Sequence, residues 1–399
     1  TSYPDGSTTT IEVDNSVDIP EKIHHFSQQF ETEKFPYKFI SNGIFGFVAH
    51  EAVQYFEQLE LNQTKLGQDM PDIYYAVYQN IIAISLFNHE AHLFSHTLDG
   101  THNLKYLEQL INGKQQSKFS FVKTGEKTSN LTDDEFLEFV SQGKQHCYRG
   151  DVFQLVLSRK FSQKFQGDDF NVYRTLRSIN PSPYLFYFDY GDFKIFGSSP
   201  EAQLVVNEGK AEIHPIAGTF KRTGNDKEDA TSALELSKDP KENSEHVMLV
   251  DLARNDLSRN GSQVVVEKNR EIQFYSHVIH LVSKVSCVMK KNAKTFRVVA
   301  DTFPAGTLSG APKHKALQLI DRYEKTKRNF YGGAIGYLDF EGNFNHAIII
   351  RSFLSQQNQL HYQAGAGIVA DSVPENELQE VYNKLRALDK ALTLAEKIS

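Results

Sequence analysis

Glu242 and Glu245 stand three residues apart near the start of the segment DPKENSEHVMLVDLARNDLSR, residues 239–259. Asp239 is a capping residue type and Pro240 is tolerated in a first helical turn, so a helix is expected to open there. The spacing puts both carboxylates on one face, ahead of the apolar Leu249 and Leu252. Alone, such a pair is ordinarily a solvated helix face. A second pair repeats the pattern near the other end of the chain. In DSVPENELQEVYNKL, Ser372 is expected to cap a helix entered through Pro374, with Glu377 and Glu380 three apart in its first turns. Four carboxylates from two helices would make a hard, all-oxygen site. Such a site suits Mg²⁺, which keeps part of its water and shares its shell with an anionic substrate.

Two glycine-bearing segments add candidate anion contacts. PAGTLSGAPKHKALQLIDRYE, residues 304–324, runs from a Gly-rich turn into a helix with Ala316, Ile320 and Tyr323 on its apolar face, where free amides could meet an anion. QAGAGIVADS, residues 363–372, reads as a strand whose Gly365 and Gly367 permit close approach to the backbone. Each segment is otherwise a plain turn or packing point, and neither matches a Walker or dinucleotide pattern. Arg351, closing the apolar run HAIIIRSF, and Lys384, one turn after Glu380, are candidate partners for a substrate carboxylate. For Lys384 a surface salt bridge is the competing account.

The elements that must carry these groups are short strands with helices between them. Residues 1–112 are rich in aromatic and β-branched runs broken by turns such as Ser41-Asn42-Gly43, and AVQYFEQLEL has helical spacing. Residues 113–132 are polar without a strong period and are expected to be a surface connection between an N-terminal sub-domain (1–112) and a catalytic domain (133–397). Thr132 and Glu135 form a capping-box pattern before a helix with Phe136, Phe139 and Val140 on its buried stripe, ending near Gly143 or Gly150. Strand-like runs follow: VFQLVLSRKF, YLFYFDYG, FKIFGSS, AQLVVNEG and KAEIHPIAGTF. Hairpin-ordered strands with helices between groups of them predict an α+β layered sandwich of mostly antiparallel sheets with helices outside.

At 399 residues with 40% hydrophobic and 23% charged side chains, the chain has the composition of an ordinary globular protein of two sub-domains or one large layered domain. A formal charge of −7 argues against non-specific binding to nucleic acid or an anionic membrane. Apolar runs such as IIAISLF are far too short to span a bilayer. Cys147 and Cys287 lie far apart in no metal-like spacing, which fits a reducing, cytoplasmic compartment. No signal peptide is visible, and because the first residue is Thr1 rather than Met, part of the N-terminal region is expected to be missing.

Laid side by side, these segments resemble the chorismate-utilising enzymes, and within them the large-subunit (component I) branch of the anthranilate synthases. The resemblance is carried by GDVFQLVLSRKF, NPSPYLFYF, GSSPE, PIAGT, DPKENSEHVMLVDLARND, HVIHLVSKV, PAGTLSGAPK, FYGGAIGYL, IIIRSF, QAGAGIVADS and PENELQEVYNKL, in family order across residues 143–390. It implies a fold that binds chorismate and Mg²⁺, with Glu245 and Glu380 as direct metal ligands and Glu242 and Glu377 alongside or through water. It also implies that Ala217, Gly218, Thr219, Thr307, Tyr331, Arg351, Gly365, Ala366, Gly367 and Lys384 hold the substrate's ring and carboxylates. Glu201 of GSSPE is implied as general acid, with a pKa raised by burial or by neighbouring carboxylates. His280 would lie near the leaving hydroxyl, moving a proton or only orienting one.

Two positions bear on the branch. Isochorismate and salicylate synthases resemble this chain but carry a water-activating Lys where it has Gln154, and a neutral amide cannot act as a base. Aminodeoxychorismate synthases typically carry a nucleophilic Lys where it has Ala217. The resemblance therefore implies ammonia attacking chorismate directly to give anthranilate and pyruvate, a lyase reaction that opens tryptophan biosynthesis. Aminodeoxychorismate synthesis is the alternative, and a non-catalytic chorismate-binding subunit a more distant one. No glutaminase signature surrounds either cysteine, so ammonia is expected from a separate glutamine amidotransferase subunit. Asn180, Pro181, Ser182, Pro183 and Tyr184 resemble half of the family's tryptophan site, whose other half, a Leu-Leu-Glu-Ser segment, is not found before GIFGF.

Overall fold

The computed structural model describes residues 1–398 except 4–5, 15, 34, 36–38, 98–101, 114–118 and 275–277, and leaves the side chains of residues 217, 219, 221 and 241 undescribed. Its strands form a nine-stranded sheet, a seven-stranded sheet and a two-stranded hairpin. All pairings between these strands are antiparallel. The two large sheets share one core: Ile44 and Phe344 from the first cluster with Leu157 and Phe353 from the second. Phe47 of the nine-stranded sheet meets Phe193 of the seven-stranded sheet edge-on, with ring centroids 6.0 Å apart. The α+β layered architecture expected from the strand pattern is the one observed.

The long strand Gln154–Gly167 anchors the seven-stranded sheet, pairing over residues 155–164 with Gln359–Ile368. It is buried on both faces over its first half, so its polar side chains need internal partners. Arg159 forms an ion pair with Asp133 and donates through Nε to Ser129 Oγ at 2.8 Å. Lys160 Nζ reaches Lys327 O at 2.8 Å and Gln68 Oε1 at 3.0 Å. Outside the sheets, the C-terminal helix Pro374–Ala395 buries Val381, Leu385, Leu388 and Leu392, a stripe at helical spacing that docks on the shared core. Among the described residues no helix is long and apolar enough to cross a membrane.

Local signals near the chain's charged caps read correctly. Thr132 and Glu135 close a capping box on the helix Asp133–Tyr148, which passes Gly143, accommodated inside it against Ile368, and ends two residues before Gly150. Several expectations need correcting. Residues 121–129 are not a connection: Phe121–Ser129 is a strand paired with Gln154–Gly167, its polar positions facing solvent at the sheet's rim. Residues 114–118 of that stretch lie outside the described residues. The expected boundary is no break in hydrogen bonding either, because Ile44–Val48 pairs with Ala334–Leu338. KAEIHPIAGTF is two strands, Lys210–Ile213 and Ile216–Lys221, parted at His214-Pro215, and both pair with Val278–Met289. AVQYFEQLEL contributes to a single 3₁₀ helix, His50–Tyr55, instead of a longer α-helix.

Candidate active site

The first carboxylate pair stands where its sequence puts it. Asp239 caps the helix Pro240–Ser258 by accepting the Glu242 N–H at 3.0 Å, and Asn243 Nδ2 bonds back to Asp239 O at 2.8 Å. Farther along the helix Leu249, Val250, Ala253 and Leu257 are buried, with Leu249 one turn beyond Glu245 on the same face. His246, also buried, ties the helix to the strand Val278–Met289 through Ser283 Oγ at 2.6 Å. Glu245 Oε1 accepts a hydrogen bond of 2.7 Å from Gln154 Nε2, so the residue that replaces the water-activating lysine holds a carboxylate of the proposed metal site. The other amide atom, Gln154 Oε1, is buried and has no hydrogen-bond partner among the described residues. Gly218 lies against the same helix: a Cβ there would sit 3.1 Å from Glu242 Oε2, and its φ of +69° suits glycine.

Glu201 follows the strand Phe193–Ser199 and is buried. Burial pushes its carboxyl up to about 8, against the opposing effects of the Thr307 hydrogen bond at 3.1 Å and of the Arg351 and Lys384 charges. A carboxyl that keeps its proton at neutral pH is a proton donor. Arg351 is held at φ +50°, a left-handed conformation for a residue with a Cβ, which costs on the order of 1 kcal/mol and persists where surroundings enforce it. A small, partly open recess lies beside the acid, lined among others by Glu201, Leu249, Leu252, Ala305 and Thr307. His280 sits with Nδ1 2.8 Å from Gly218 O. A carbonyl only accepts, so Nδ1 carries the proton and Nε2 is an acceptor. Burial pulls this imidazole down to about 4, which keeps it neutral at pH 7.

The second pair is arranged differently from the first. Ser372 is not the helix cap: Val373 takes that position without a side-chain bond, and Ser372 Oγ accepts from Val369 N at 3.0 Å, closing the turn ahead of the helix. Glu377 is buried and Glu380 is half exposed. Lys384 Nζ contacts Glu380 Oε1 at 2.6 Å, the salt bridge weighed above, yet it also donates to Gly365 O at 2.8 Å. It therefore joins the helix to the QAGAG strand. Ala366 is fully buried there, opposite Leu157. The two glycines admit protein groups: a Cβ at Gly367 would fall 2.6 Å from Gln154 Nε2, and one at Gly365 would fall 2.7 Å from Leu157 O. Tyr331 is buried within electrostatic reach of Lys384.

Oxygen donors on two helices are the right chemistry for Mg²⁺. Among the described residues, no three His, Cys, Asp or Glu side chains gather into a metal-holding group. Glu245 and Glu380, from the two helices, both lie within electrostatic reach of Lys384. They fit a metal that takes its remaining ligands from water and substrate. Thr307 belongs to the single helical turn Gly306–Ser309, and the following helix Lys313–Tyr323 begins without a side-chain cap bond. The side chains of Ala217 and Thr219 lie outside those described. Their backbone forms a bulge opposite Leu281 and His280, which brings PIAGT beside the histidine. Asn180 ends the helix Phe170–Ile179 and accepts Ser198 Oγ through its carbonyl, while Tyr184 opens a strand opposite Ser199. Residues 180–184 are thus coupled through one strand pair to Glu201. The sequence reading missed Arg328, Glu324 and Glu51, which lie buried behind the site. Only the sequence neighbourhood of Arg328, two and three residues before the apolar Phe330 and Tyr331, hinted at burial.

Two antiparallel sheets around one core, with a buried acid and two carboxylate-bearing helices, define a chorismate-binding architecture. Residues 2–390 match the family of chorismate binding enzymes, and the chain belongs to that family. Anthranilate synthase component 1 of Aquifex aeolicus (strain VF5) is 47% identical over 270 residues, covering 67% of this chain and 55% of that protein. In this match the chain spans little more than half of its relative's length. The corresponding protein of Neisseria gonorrhoeae (strain ATCC 700825 / FA 1090) is 37% identical over 391 residues, 94% of this chain and 79% of its own. The crystal structure of anthranilate synthase component I from Streptococcus pneumoniae TIGR4 superposes with a TM-score of 0.80 at 31% identity, over 94% of this chain and 86% of that one. A menaquinone-specific isochorismate synthase from Escherichia coli shares the fold at a TM-score of 0.72 and 21% identity, over 88% and 78%.

Proposed function

We propose that the chain is the synthase component of an anthranilate synthase, converting chorismate and ammonia to anthranilate and pyruvate. The observation that carries this reading is Glu201, buried, bonded by Thr307 and holding its proton up to about pH 8. In the first step the ammonia lone pair forms a bond to ring C2 and the ring double bonds shift. The C4 hydroxyl departs as water, taking the Glu201 proton, and the ammonium formed on C2 gives up one N–H proton, which balances the one taken. In the second step the C2 proton leaves, the C3–O bond breaks, and the enolpyruvyl group gains a proton on its methylene to become pyruvate. Arg351 and Lys384 bind carboxylates, and neutral His280 presents Nε2 as an acceptor that orients the C4 hydroxyl. Gln154 has no basic group, which disfavours activation of water, and its Oε1, without a partner among the described residues, is suited to accept an N–H from ammonia.

Glu245 and Glu380 would hold Mg²⁺, with Glu242 and Glu377 beside them. The ion would neutralise the ring carboxylate and draw electron density from the ring. Ammonia would be supplied by a separate glutamine amidotransferase subunit. The test is incubation of the purified chain with chorismate, Mg²⁺ and an ammonium salt, following anthranilate fluorescence and pyruvate together. Equal amounts of both are expected. Chorismate consumed without pyruvate would instead mean aminodeoxychorismate or isochorismate synthesis, and no consumption would contradict a catalytic role.

A further inference from the structure

The reaction above gives no task to one of the largest buried charges in the chain. Arg328 is 1% exposed, and its guanidinium donates to both oxygens of Glu324, Nε to Oε2 at 2.9 Å and Nη2 to Oε1 at 2.6 Å. Its other bonds go to backbone: Nη1 to Leu308 O at 2.7 Å and Nη2 to Val156 O at 2.8 Å. Each carbonyl belongs to a segment carrying a site residue. Leu308 follows Thr307, and Val156 lies two positions after Gln154. The same guanidinium is 5.8 Å from the Tyr331 ring centroid, and Tyr331 N donates to Arg328 O at 3.2 Å. Glu324 extends the clamp, its Oε1 accepting Ser158 N at 2.9 Å and Ser158 Oγ at 2.7 Å. From the other side, the two oxygens of Glu51 accept the backbone N–H groups of Arg328 and Asn329 at 2.8 and 2.9 Å.

We propose that Arg328, fixed by Glu324, is a positioning residue that sets Thr307, Gln154 and Tyr331 relative to one another, and thereby the bond from Thr307 to Glu201. The inference rests on the reading of Glu201 as the acid. A guanidinium is a rigid fork that satisfies several acceptors at fixed angles, which a lysine ammonium on a flexible stem does not. A buried ion pair adds little stability over a well-packed apolar replacement, so geometry is the better account of this one.

The test compares Arg328→Lys and Glu324→Gln with the unaltered chain. The first readout is the carboxyl pKa of Glu201, measured by difference infrared titration with Glu201→Gln as the blank, and it needs no turnover. The Thr307 bond holds that pKa down against burial, and the Arg351 and Lys384 charges that also hold it down are untouched by either substitution. In folded Arg328→Lys the pKa is expected to rise by about 0.5 to 1 pH unit, matched by Thr307→Val, as one weakened hydrogen bond would cause. kcat should fall about 10- to 100-fold, with KM for chorismate within about threefold, as misplacement of reacting groups does. A folded Arg328→Lys with unchanged Glu201 pKa and unchanged kcat overturns the proposal. If that variant does not fold, Glu324→Gln decides: a smaller rise in the same direction supports the proposal and no rise overturns it. An unaltered chain that makes no anthranilate contradicts the proposed function instead, and the infrared comparison still decides the positioning role.

Discussion

At the scale of the residue, the proposed chemistry turns on how one carboxyl keeps its proton. Burial holds Glu201 about 8, above the usual 4.5, although Thr307, Arg351 and Lys384 all favour the charged form. Turnover that needs this proton should fall as pH rises through about 8. Glu201→Gln removes the donor and is expected to lower kcat by about 100- to 10,000-fold, the range a general acid contributes. The same shift carries a stability signature of definite sign. Because the folded pKa lies above the unfolded one, folding retains a proton that the unfolded chain releases. That contribution is fully present below about 4.5 and is lost as pH rises through about 8. Glu201→Gln should therefore gain thermal stability relative to the unaltered chain between those limits. Parallel melting curves across that range would argue against a raised pKa.

At the scale of the element, two glycines separate a site effect from a folding effect. At Gly367 a Cβ would meet Gln154 Nε2 at 2.6 Å, the tip of a flexible side chain. Gly367→Ala should swing the amide off Glu245 while changing stability by less than about 1 kcal/mol, and turnover should drop about tenfold. Gly218 has φ +69°, and its Cβ would meet Leu236 Cδ1 at 2.7 Å. Gly218→Ala combines backbone strain with a core clash and should cost about 1 kcal/mol or more, lowering the melting temperature. Melting curves read beside kcat distinguish the two. A Gly367→Ala variant with unaltered kcat would show that the bond from Gln154 to Glu245 does not matter to turnover.

At the scale of the whole molecule, the N-terminal segment completes a sheet whose other strands carry candidate site residues such as His280. Ile44–Val48 lies between Ile73–Val77 and Ala334–Leu338. A fragment beginning at residue 113 would leave Ala334–Leu338 as an open edge and uncover Phe193, against which Phe47 packs. Unpaired strand edges and exposed apolar surface promote aggregation. The fragment is expected to be insoluble or to melt without a cooperative transition, as solubility and thermal unfolding would show. A soluble, cooperatively melting fragment would mean that residues 1–112 form a separable unit after all.

Features that depend on near neighbours are legible in the residues alone. Asp239 ahead of Pro240, the Thr132 and Glu135 box, and the pairing of Glu242 with Glu245 on one face are decided within a few residues, because capping and helical spacing act locally. Hairpin-ordered strands were legible for the same reason, and the motifs pointed to the family. Tertiary structure decided what depends on distant partners. Phe121–Ser129 is a strand only because Gln154–Gly167 pairs with it, and Ser372 lost the cap to a turn it closes itself. Nothing local to Gln154 announces Glu245, 91 residues away, or to Arg328 announces Val156, 172 residues away. Whether a charge lies buried, and therefore which proton it holds or which strand it fixes, depends on contacts made only when the chain closes on itself.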